Sequence, residues 1–443
     1  MKGLCAVFVF FVLFGAGTAC FADDSQTNSL PDFLTHTKFF GDVRLRYEEV
    51  AREYEVASSP YTAGETLDNS DRYRFRLRGG FETTIEEHVL LGARLASGSQ
   101  SIPVAATTSW NLGEQPWTAN QSMADDFDRK AIWIDQAYIK LKPFDFWTLS
   151  GGKIENPFFV LDTIFDSNVT PEGFYTGFAY AFKDGPALTL GGGYFPLSEL
   201  KPDGRELLAI QATADMKFGP SEFKLGVAQY DFNVHGTSPY WYQASATTDT
   251  VTDSSGKKTT VVTGATPTYV FNGNTADPTN TLYVYDYDIF DVLLEITPYV
   301  FDTGDMKIPI KLQGDWFENT ASDVKQNTGW LVGLQVGKIT KKGDFQISYN
   351  YRYTEADAVL GDMHFADFGN GYTGTAGSTL SASYSFYKNT WLTFTWLNAD
   401  SIDNKATVQT NTAQAANPTF ILAPYKRTNS SYDTYQVDLS VKF

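Results

Sequence analysis

The feature that most constrains this chain is a hydrophobic pattern with a period of two residues. Over 72–78, arginines alternate strictly with apolar side chains, and similar alternation runs through 344–356, 377–387 and 431–443. Successive side chains of a β-strand point to opposite faces, so the pattern predicts strands with one apolar and one polar face. A helix would repeat its apolar residues about every 3.6 positions. The pattern therefore predicts an all-β protein.

Sixteen segments of the chain carry this alternation. They lie near 39–50, 71–84, 88–97, 131–142, 147–155, 173–182, 187–195, 207–218, 222–233, 282–297, 307–319, 329–338, 344–356, 377–387, 390–398 and 431–443. The alternation is imperfect in 131–142, 147–155 and 282–297. An even number of strands would bring both chain ends to the same side of a closed sheet.

The connections between these segments alternate between short and long. Short turns lie at 143–146, 183–186, 219–221, 339–343 and 388–389, and the largest polar loops cover 51–70, 98–130, 156–172, 234–281 and 399–430. A soluble sandwich gives no reason for this regularity, whereas a transmembrane antiparallel up-and-down β-barrel has short turns on one side and long loops on the other. We therefore expect a single barrel of 16 strands over residues 39–443. The alternative is a soluble two-sheet protein with an aromatic core.

The composition agrees with a barrel and excludes other classes. Aromatic residues make up 15% of the chain although the mean hydropathy is −0.25, which an apolar outer band edged by Trp and Tyr explains. The net charge of −18 offers no basic excess for phosphate contacts, so nucleic acid is excluded as a partner. Two cysteines are too few for a disulfide scaffold. The chain also lacks the repeated long apolar runs of a helical membrane protein.

Residues 1–22 have the features of a secretory signal peptide. Lys2 precedes an apolar stretch over 4–16, and small residues permit cleavage after Ala22. The alternatives are an uncleaved anchor helix and lipoprotein processing at Cys20. Cleavage after Ala22 would remove both cysteines and leave 23–38 as a short periplasmic segment before the barrel.

A dense group of arginines lies on the polar faces of the first two predicted strands. Arg44 and Arg46 belong to the first strand, and the second carries Arg72, Arg74, Arg76 and Arg78. Pairing of these strands would place six guanidinium groups on one inner wall. Like charges at that spacing repel unless they are well hydrated or paired with carboxylates.

Two sources of carboxylates are open, and they do not exclude each other. If loop 156–172 folds into the pore, its acids would face the arginines across a narrow opening and create a transverse field that sorts solutes by charge. The acids of this loop region are Asp162, Asp166 and Glu172. Alternatively, the arginines pair with neighbouring acids of the interior such as Asp42, Glu48 and Glu82.

Several stretches of the chain are similar to those of a known family. They are 42–48, 72–81, 92–98, 135–138, 152–158 and 166–173, together with a terminal Phe443 on an alternating strand. The chain thus resembles bacterial outer-membrane porins, most closely the broad "Putative porin" family. The resemblance implies a sixteen-stranded barrel, usually a homotrimer, that passes small hydrophilic solutes and ions passively. It also implies an inward-folded third loop opposite a basic cluster.

The resemblance assigns roles to individual residues of this chain. The basic wall would comprise Arg44, Arg46, Arg72, Arg74, Arg76, Arg78 and Arg94, and the acidic loop would contribute Asp162, Asp166 and Glu172. The protein would lie in the bacterial outer membrane, in contact with lipid and lipopolysaccharide, after insertion by the assembly machinery through Phe443.

We expect no enzyme activity, no cofactor and no metal site. The sequence has no HExxH, P-loop or dinucleotide fingerprint, and none of its four histidines falls in the middle of a predicted strand. Three functions remain open. They are a passive porin, a substrate-specific channel or barrel that sheathes a partner, and a structural or adhesive barrel with a closed lumen.

Overall fold

The computed structural model describes most of the chain beyond its first 34 residues. The described residues are 35–56, 65–98, 117–123, 127, 129–183, 185–198, 204–239, 242–252, 258–269, 271–304, 306–402 and 427–443. The predicted signal peptide and most of the predicted periplasmic segment lie outside these ranges, so both stay predictions.

The described residues are almost entirely strand. In chain order the strands are β1 (Thr37–Val56), β2 (Glu65–Glu86), β3 (Val89–Ser97), β4 (Gln121–Ser122), β5 (Ile132–Phe144), β6 (Trp147–Lys153), β7 (Glu172–Ala181), β8 (Ala187–Pro196), β9 (Glu206–Phe218), β10 (Ser221–Asn233), β11 (Tyr242–Thr252), β12 (Lys258–Tyr269), β13 (Tyr287–Asp302), β14 (Lys307–Asn319), β15 (Thr328–Gly337), β16 (Phe345–Thr354), β17 (Thr375–Tyr387), β18 (Thr390–Ser401) and β19 (Arg427–Lys442). One 3-10 turn covers Gly369–Gly371. Among the described residues, no helix is long and apolar enough to cross a membrane.

Sixteen of these strands form a closed antiparallel barrel. Each pairs with its neighbour along the chain, and β1 pairs with both β2 and β19, which closes the ring. The two-residue β4 pairs with Arg74 and Phe75 of β2. Strands β11 and β12 form a separate hairpin within a long loop. The predicted fold class and all sixteen predicted segments are confirmed.

Strand lengths differ most from the prediction on the side of the long loops. β1 extends to Val56 and β2 begins at Glu65, so the loop between them, predicted at 51–70, is much shorter than expected. In β13, Pro298 interrupts the register between Ile296 and Tyr299, because proline has no backbone N–H to donate to the ladder. The alternation that marks this strand stops there, yet pairing resumes and the strand continues to Asp302.

The barrel wall separates an apolar exterior from a divided interior. Outward side chains are exposed and apolar, and they include Leu45, Tyr73, Ile210, Leu294, Val332, Phe394 and Val437. Inward side chains on β1, β2 and β19 are charged or polar. On β8, β9, β10, β13 and β14, by contrast, most inward side chains near the long loops are aromatic or aliphatic and fully buried, among them Phe195, Tyr230, Phe232, Ile289 and Phe317, although Asp291 and Asp315 are buried there as well. Something inside the barrel must therefore cover this second wall.

Two glycines at the turn side of the barrel test how the short turns are built. Gly337, the last residue of β15, has φ +82° and a Cβ there would lie 2.3 Å from the carbonyl oxygen of Phe345. Gly219 has φ +59° with no atom within 4 Å of its would-be Cβ. A left-handed conformation costs an L-residue about 1–2 kcal/mol, so the free energy of unfolding should fall by that amount in both alanine variants. It should fall further in Gly337→Ala, because the new Cβ would clash with the carbonyl oxygen of Phe345.

The comparison is made by urea unfolding of the reconstituted barrel. We expect Gly337→Ala to be the less stable variant by at least about 1 kcal/mol, since main-chain atoms cannot move aside without breaking the ladder. Equal losses for Gly219→Ala and Gly337→Ala would contradict the close approach of the two strands.

Candidate functional site

The register between β1 and β2 gathers the arginines on one inner wall. Arg44 lies directly opposite Arg76, and Arg46 directly opposite Arg74. Directly opposed side chains on paired strands have Cβ atoms about 5 Å apart, so their charges cannot ignore each other. The structure thus brings together the six arginines of the first two strands, and their stability depends on the acids between them. These six residues are called the arginine wall below.

Arg46 is the most heavily engaged member of the arginine wall. Its Nε and Nη2 donate to the two carboxylate oxygens of Asp438, on β19, at 2.7 and 2.9 Å. Its Nη1 donates to Asp367 at 2.7 Å and lies 3.4 Å from Glu48. Such a two-pronged guanidinium–carboxylate pair fixes geometry as well as charge.

Glu48 and Asp42 neutralise most of the remaining arginines. The Oε1 atom of Glu48 accepts from Arg72 Nε at 2.6 Å and lies 3.5 Å from Arg74 Nη1. Asp42 accepts from Nε of Arg76 at 2.9 Å through one oxygen and from Nε of Arg78 at 2.7 Å through the other. These contacts match the alternative prediction, in which the arginines pair with neighbouring acids of the barrel interior such as Asp42 and Glu48.

Three further predicted residues, Arg44, Arg94 and Glu82, contact residues that the sequence analysis did not name. Arg44 donates to Asn120, which belongs to the residues leading into β4, and its Nη1 lies 3.7 Å from Asp438. Arg94 on β3 pairs with Asp135 on β5. Glu82, which was expected to pair with an arginine, instead accepts from the hydroxyl of Tyr138 at 2.5 Å.

Loop 154–171, which connects β6 to β7, lies inside the barrel against the apolar wall. The amide of Phe159 donates to Gln211 Oε1 on β9 at 2.7 Å, and the Thr163 hydroxyl donates to Asp315 on β14. Phe158 and Phe165 pack edge-on against Tyr230, with ring centroids 5.5 and 5.2 Å away. Burial of these rings accounts for the largely apolar inward faces of β8, β9, β10, β13 and β14.

The three predicted loop acids occupy different places. The main-chain oxygen of Asp162 accepts from Arg352 Nη1 at 3.1 Å, while its side chain is partly buried. Asp166 is buried and accepts from the amide of Ala366 at 3.0 Å, in a second inward loop. Glu172 begins β7 and pairs with Lys153 at 2.8 Å on a largely exposed edge, apart from the arginine wall.

The second inward loop, 355–374 between β16 and β17, was not expected. Its Asp357 accepts from the hydroxyl of Tyr287 at 3.0 Å, and Asn274 donates to the main-chain oxygen of Val359 at 2.8 Å. His364 lies 2.8 Å from the main-chain oxygen of Thr163, which joins the two inward loops. The available signal was an apolar run, Val359-Leu360 with Phe365 and Phe368, in a segment otherwise placed among solvent-exposed loops.

This loop supplies Asp367, the carboxylate that reaches the arginine wall from a loop rather than from a strand. Burial alone would raise the pKa of Asp367, but the charges of Arg46, Arg74 and Arg44 outweigh burial and hold its pKa well below the usual range. Asp367 is therefore ionised at every physiological pH. Burial, followed by the charge of Asp166, raises the pKa of Asp162 to about 6, so that carboxyl is partly protonated at mildly acidic pH.

Positive charge is concentrated on the arginine wall. Among the described residues, four carboxylates lie in direct contact with its six guanidinium groups, and they belong to Asp42, Glu48, Asp367 and Asp438. This basic cluster occurs in a chain whose overall net charge is −18. Within the described ranges, no group of three or more His, Cys, Asp or Glu side chains is arranged to hold a metal ion.

Comparisons with known proteins were made on sequence and on fold. A family model described as "Putative porin" matches residues 22–443. A search of curated protein sequences found no match. Among solved structures, OprB of Pseudomonas putida superposes with a TM-score of 0.52 at 10% identity, over 93% of this chain and 95% of that chain. That likeness concerns the fold.

Two further solved structures are similar over nearly their full lengths. A triple mutant of the Rhodopseudomonas blastica porin gives a TM-score of 0.42 at 11% identity, covering 92% of this chain and 100% of that one. OmpT, an outer-membrane protein of Vibrio cholerae in a trimer form, gives 0.43 at 12% identity, covering 92% and 99%.

Glu48 offers a direct test of charge balance in the wall. Its carboxylate is 2% exposed and lies among three guanidinium groups, so Glu48→Gln leaves those cations with one partner fewer. Removing one partner of a buried ionic network typically costs about 3–5 kcal/mol, and we expect Glu48→Gln to lower the unfolding free energy by about 3 kcal/mol in urea.

The matched control is Glu172→Gln, which makes the same chemical change in an exposed pair. Exposed ion pairs contribute little, so its midpoint of unfolding should stay close to that of the unmodified protein. Equal shifts for both variants would show that Glu48 does not stabilise the arginine wall.

Proposed function

The chain belongs to the "Putative porin" family, and from that premise we propose that it forms a water-filled channel through the bacterial outer membrane for passive diffusion of small hydrophilic solutes and ions. The observation that carries this proposal is the arginine wall. Six guanidinium groups on the inner face of a transmembrane barrel are stabilised by carboxylates and hydration, and a dry or apolar core would not tolerate them.

The two inward loops define where such a path would run. Loops 154–171 and 355–374 cover the apolar wall formed by β8, β9, β10, β13 and β14. The arginine wall lies on β1 and β2, with Asp438 of β19 beside it. A solute crossing the barrel would therefore pass next to fixed charges of both signs. Fixed charges in a narrow, low-dielectric passage orient water and favour one sign of ion without any conformational step.

We assign a supporting part in charge selection to the predicted loop acids. Asp162 and Asp166 lie close enough to Asp367 for its charge to raise their pKa values, so together they would form a negative region facing the wall. Glu172 would act at the rim, with Lys153. Arg94, paired with Asp135, would extend the positive surface toward the periplasmic side.

Several further assignments belong to the same proposal. Residues 1–22 would direct export and be removed, and the mature barrel would assemble as a homotrimer among lipid and lipopolysaccharide. Phe443, whose amide donates to the main-chain oxygen of Gly41 at 3.1 Å, would be read by the assembly machinery before that contact forms. Transport needs no catalytic group and no cofactor.

The test of the channel is conductance and ion preference in planar bilayers. We expect a wide, ohmic, salt-dependent conductance, and we expect Arg72→Ser, Arg74→Ser and Arg76→Ser combined to shift the reversal potential in a salt gradient toward cations. The physical reason is the loss of three positive charges from the wall that solutes pass.

The control removes three positive charges elsewhere. Lys183, Lys338 and Lys342 are exposed at the short turns, and their combined replacement by Ser should leave the reversal potential nearly unchanged. An unchanged potential in the arginine variant would remove the wall from the selectivity filter. Absence of any conductance in the unmodified protein would refute the porin and favour a structural barrel with a closed lumen.

A further inference from the structure

Asp367 is a carboxylate delivered to the arginine wall by a loop. Its Oδ2 atom lies 2.7 Å from Nη1 of Arg46, and its side chain remains 24% exposed while that of Arg46 is 5% exposed. One edge of this ion pair is therefore buried in the wall, and the other faces the interior of the barrel. A dissolved anion could approach from that open edge.

The other donors of Arg46 are already committed to the barrel itself. Nε and Nη2 bind Asp438, which is fixed on a neighbouring strand, so only the Nη1 position depends on a loop residue for its closest partner. Arg44 adds attraction at the same place, and its Nε is buried with no hydrogen-bond partner in the described part of the chain. Nη1 of Arg46 thus presents an anion position that Asp367 fills, with the charge of Arg44 acting from nearby.

The loop holds Asp367 in place from both sides in the sequence. On one side, the amide of Ala366 donates to Asp166 at 3.0 Å. On the other side, Phe368 is fully buried against Leu397, Ala399 and Tyr432. The main chain at Asp367 is therefore anchored on both sides, and displacement of its carboxylate from Arg46 would require only side-chain rotation.

Arg352 braces the same segment without using a carboxylate. Its guanidinium lies 5.0 Å from the ring centre of Phe365 and 4.7 Å from that of Phe368, and it donates to the main-chain oxygen of Asp162. Cation–π contacts of this kind are substantial when both partners are buried. One arginine of β16 thus fastens both inward loops, which makes the position of Asp367 reproducible.

We propose that Asp367 is a built-in competitor: its carboxylate occupies a binding position for solute carboxylates on Arg46, close to the charge of Arg44, and so sets how strongly the channel retains small organic anions. The inference rests on the proposed channel function and adds the ligand class and the residue that limits its binding. The Asp side chain ends in the same CH₂–COO⁻ group that a carboxylate solute would present, so the two compete for identical donors.

The competition has a predictable direction. Without the Asp367 carboxylate, Nη1 of Arg46 would lose its closest partner and keep only the longer contact to Glu48 at 3.4 Å, so a solute carboxylate could take the position that Asp367 leaves. A carboxylate solute would no longer have to displace an ionised side chain. It should bind more tightly and leave more slowly.

Citrate block of the potassium chloride current through single channels measures this competition. We expect Asp367→Asn to lower the half-blocking citrate concentration about three- to tenfold, which is the range of one exchanged charge-assisted hydrogen bond in a partly wet site. Asp367→Glu keeps the charge, and its half-blocking citrate concentration should equal that of the unmodified channel. Asp323→Asn, the same change on an exposed external loop, should also have no effect.

The outcomes separate this inference from the channel itself. An unchanged or raised half-blocking concentration in Asp367→Asn, with normal conductance, would overturn the competitor role and leave the porin intact. Loss of conductance in every protein, including the unmodified one, would overturn the porin. Should Asp367→Asn fail to fold, citrate block of Asp367→Ser, a smaller uncharged replacement, decides by the same threshold.

Discussion

The structure depends on a repulsion that the fold has to neutralise. Period-two alternation on two paired strands places six guanidinium groups side by side, and no barrel geometry can spread them apart without changing register. The same alternation also inserts Asp42 and Glu48 on the inward face of β1, between and beside the arginines of its own strand. Each carboxylate serves two or three guanidiniums, so the wall is stabilised largely by acids on the same strand pair.

The rest of the interior follows from what this charged wall does not need. Opposite it, the inward faces of β8, β9, β10, β13 and β14 are mostly apolar, and they are covered by loop segments whose aromatic side chains pack against them. The barrel interior thus has a packed apolar side and a side lined by charged residues. The two inward loops are joined by Asp166 and His364 and are fastened to the barrel by Arg352. The route that we propose for water and solutes lies on the charged side, beside the arginine wall.

The strands, the short turns and the arginine wall could be predicted because each depends on local periodicity. Alternation fixes which face a residue occupies, and the pairing of consecutive strands fixes its neighbours. The path of loop 355–374 could not be predicted, since no period governs a loop and its apolar run has several possible destinations. Asp438 was visible on an alternating strand, but its partner depends on the stagger with which the ring closes. Pro298 misled the prediction of β13 because a bulge breaks the period without ending the strand.

The bond between Arg46 and Asp438 has a consequence for closure of the barrel. These residues are 392 positions apart, and the bond joins the first strand to the last. While the seam between β1 and β19 is open, Arg46 lacks the two-pronged carboxylate partner that Asp438 provides. Closure of the seam and neutralisation of Arg46 therefore occur together, so a barrel missing its last strand would lack both.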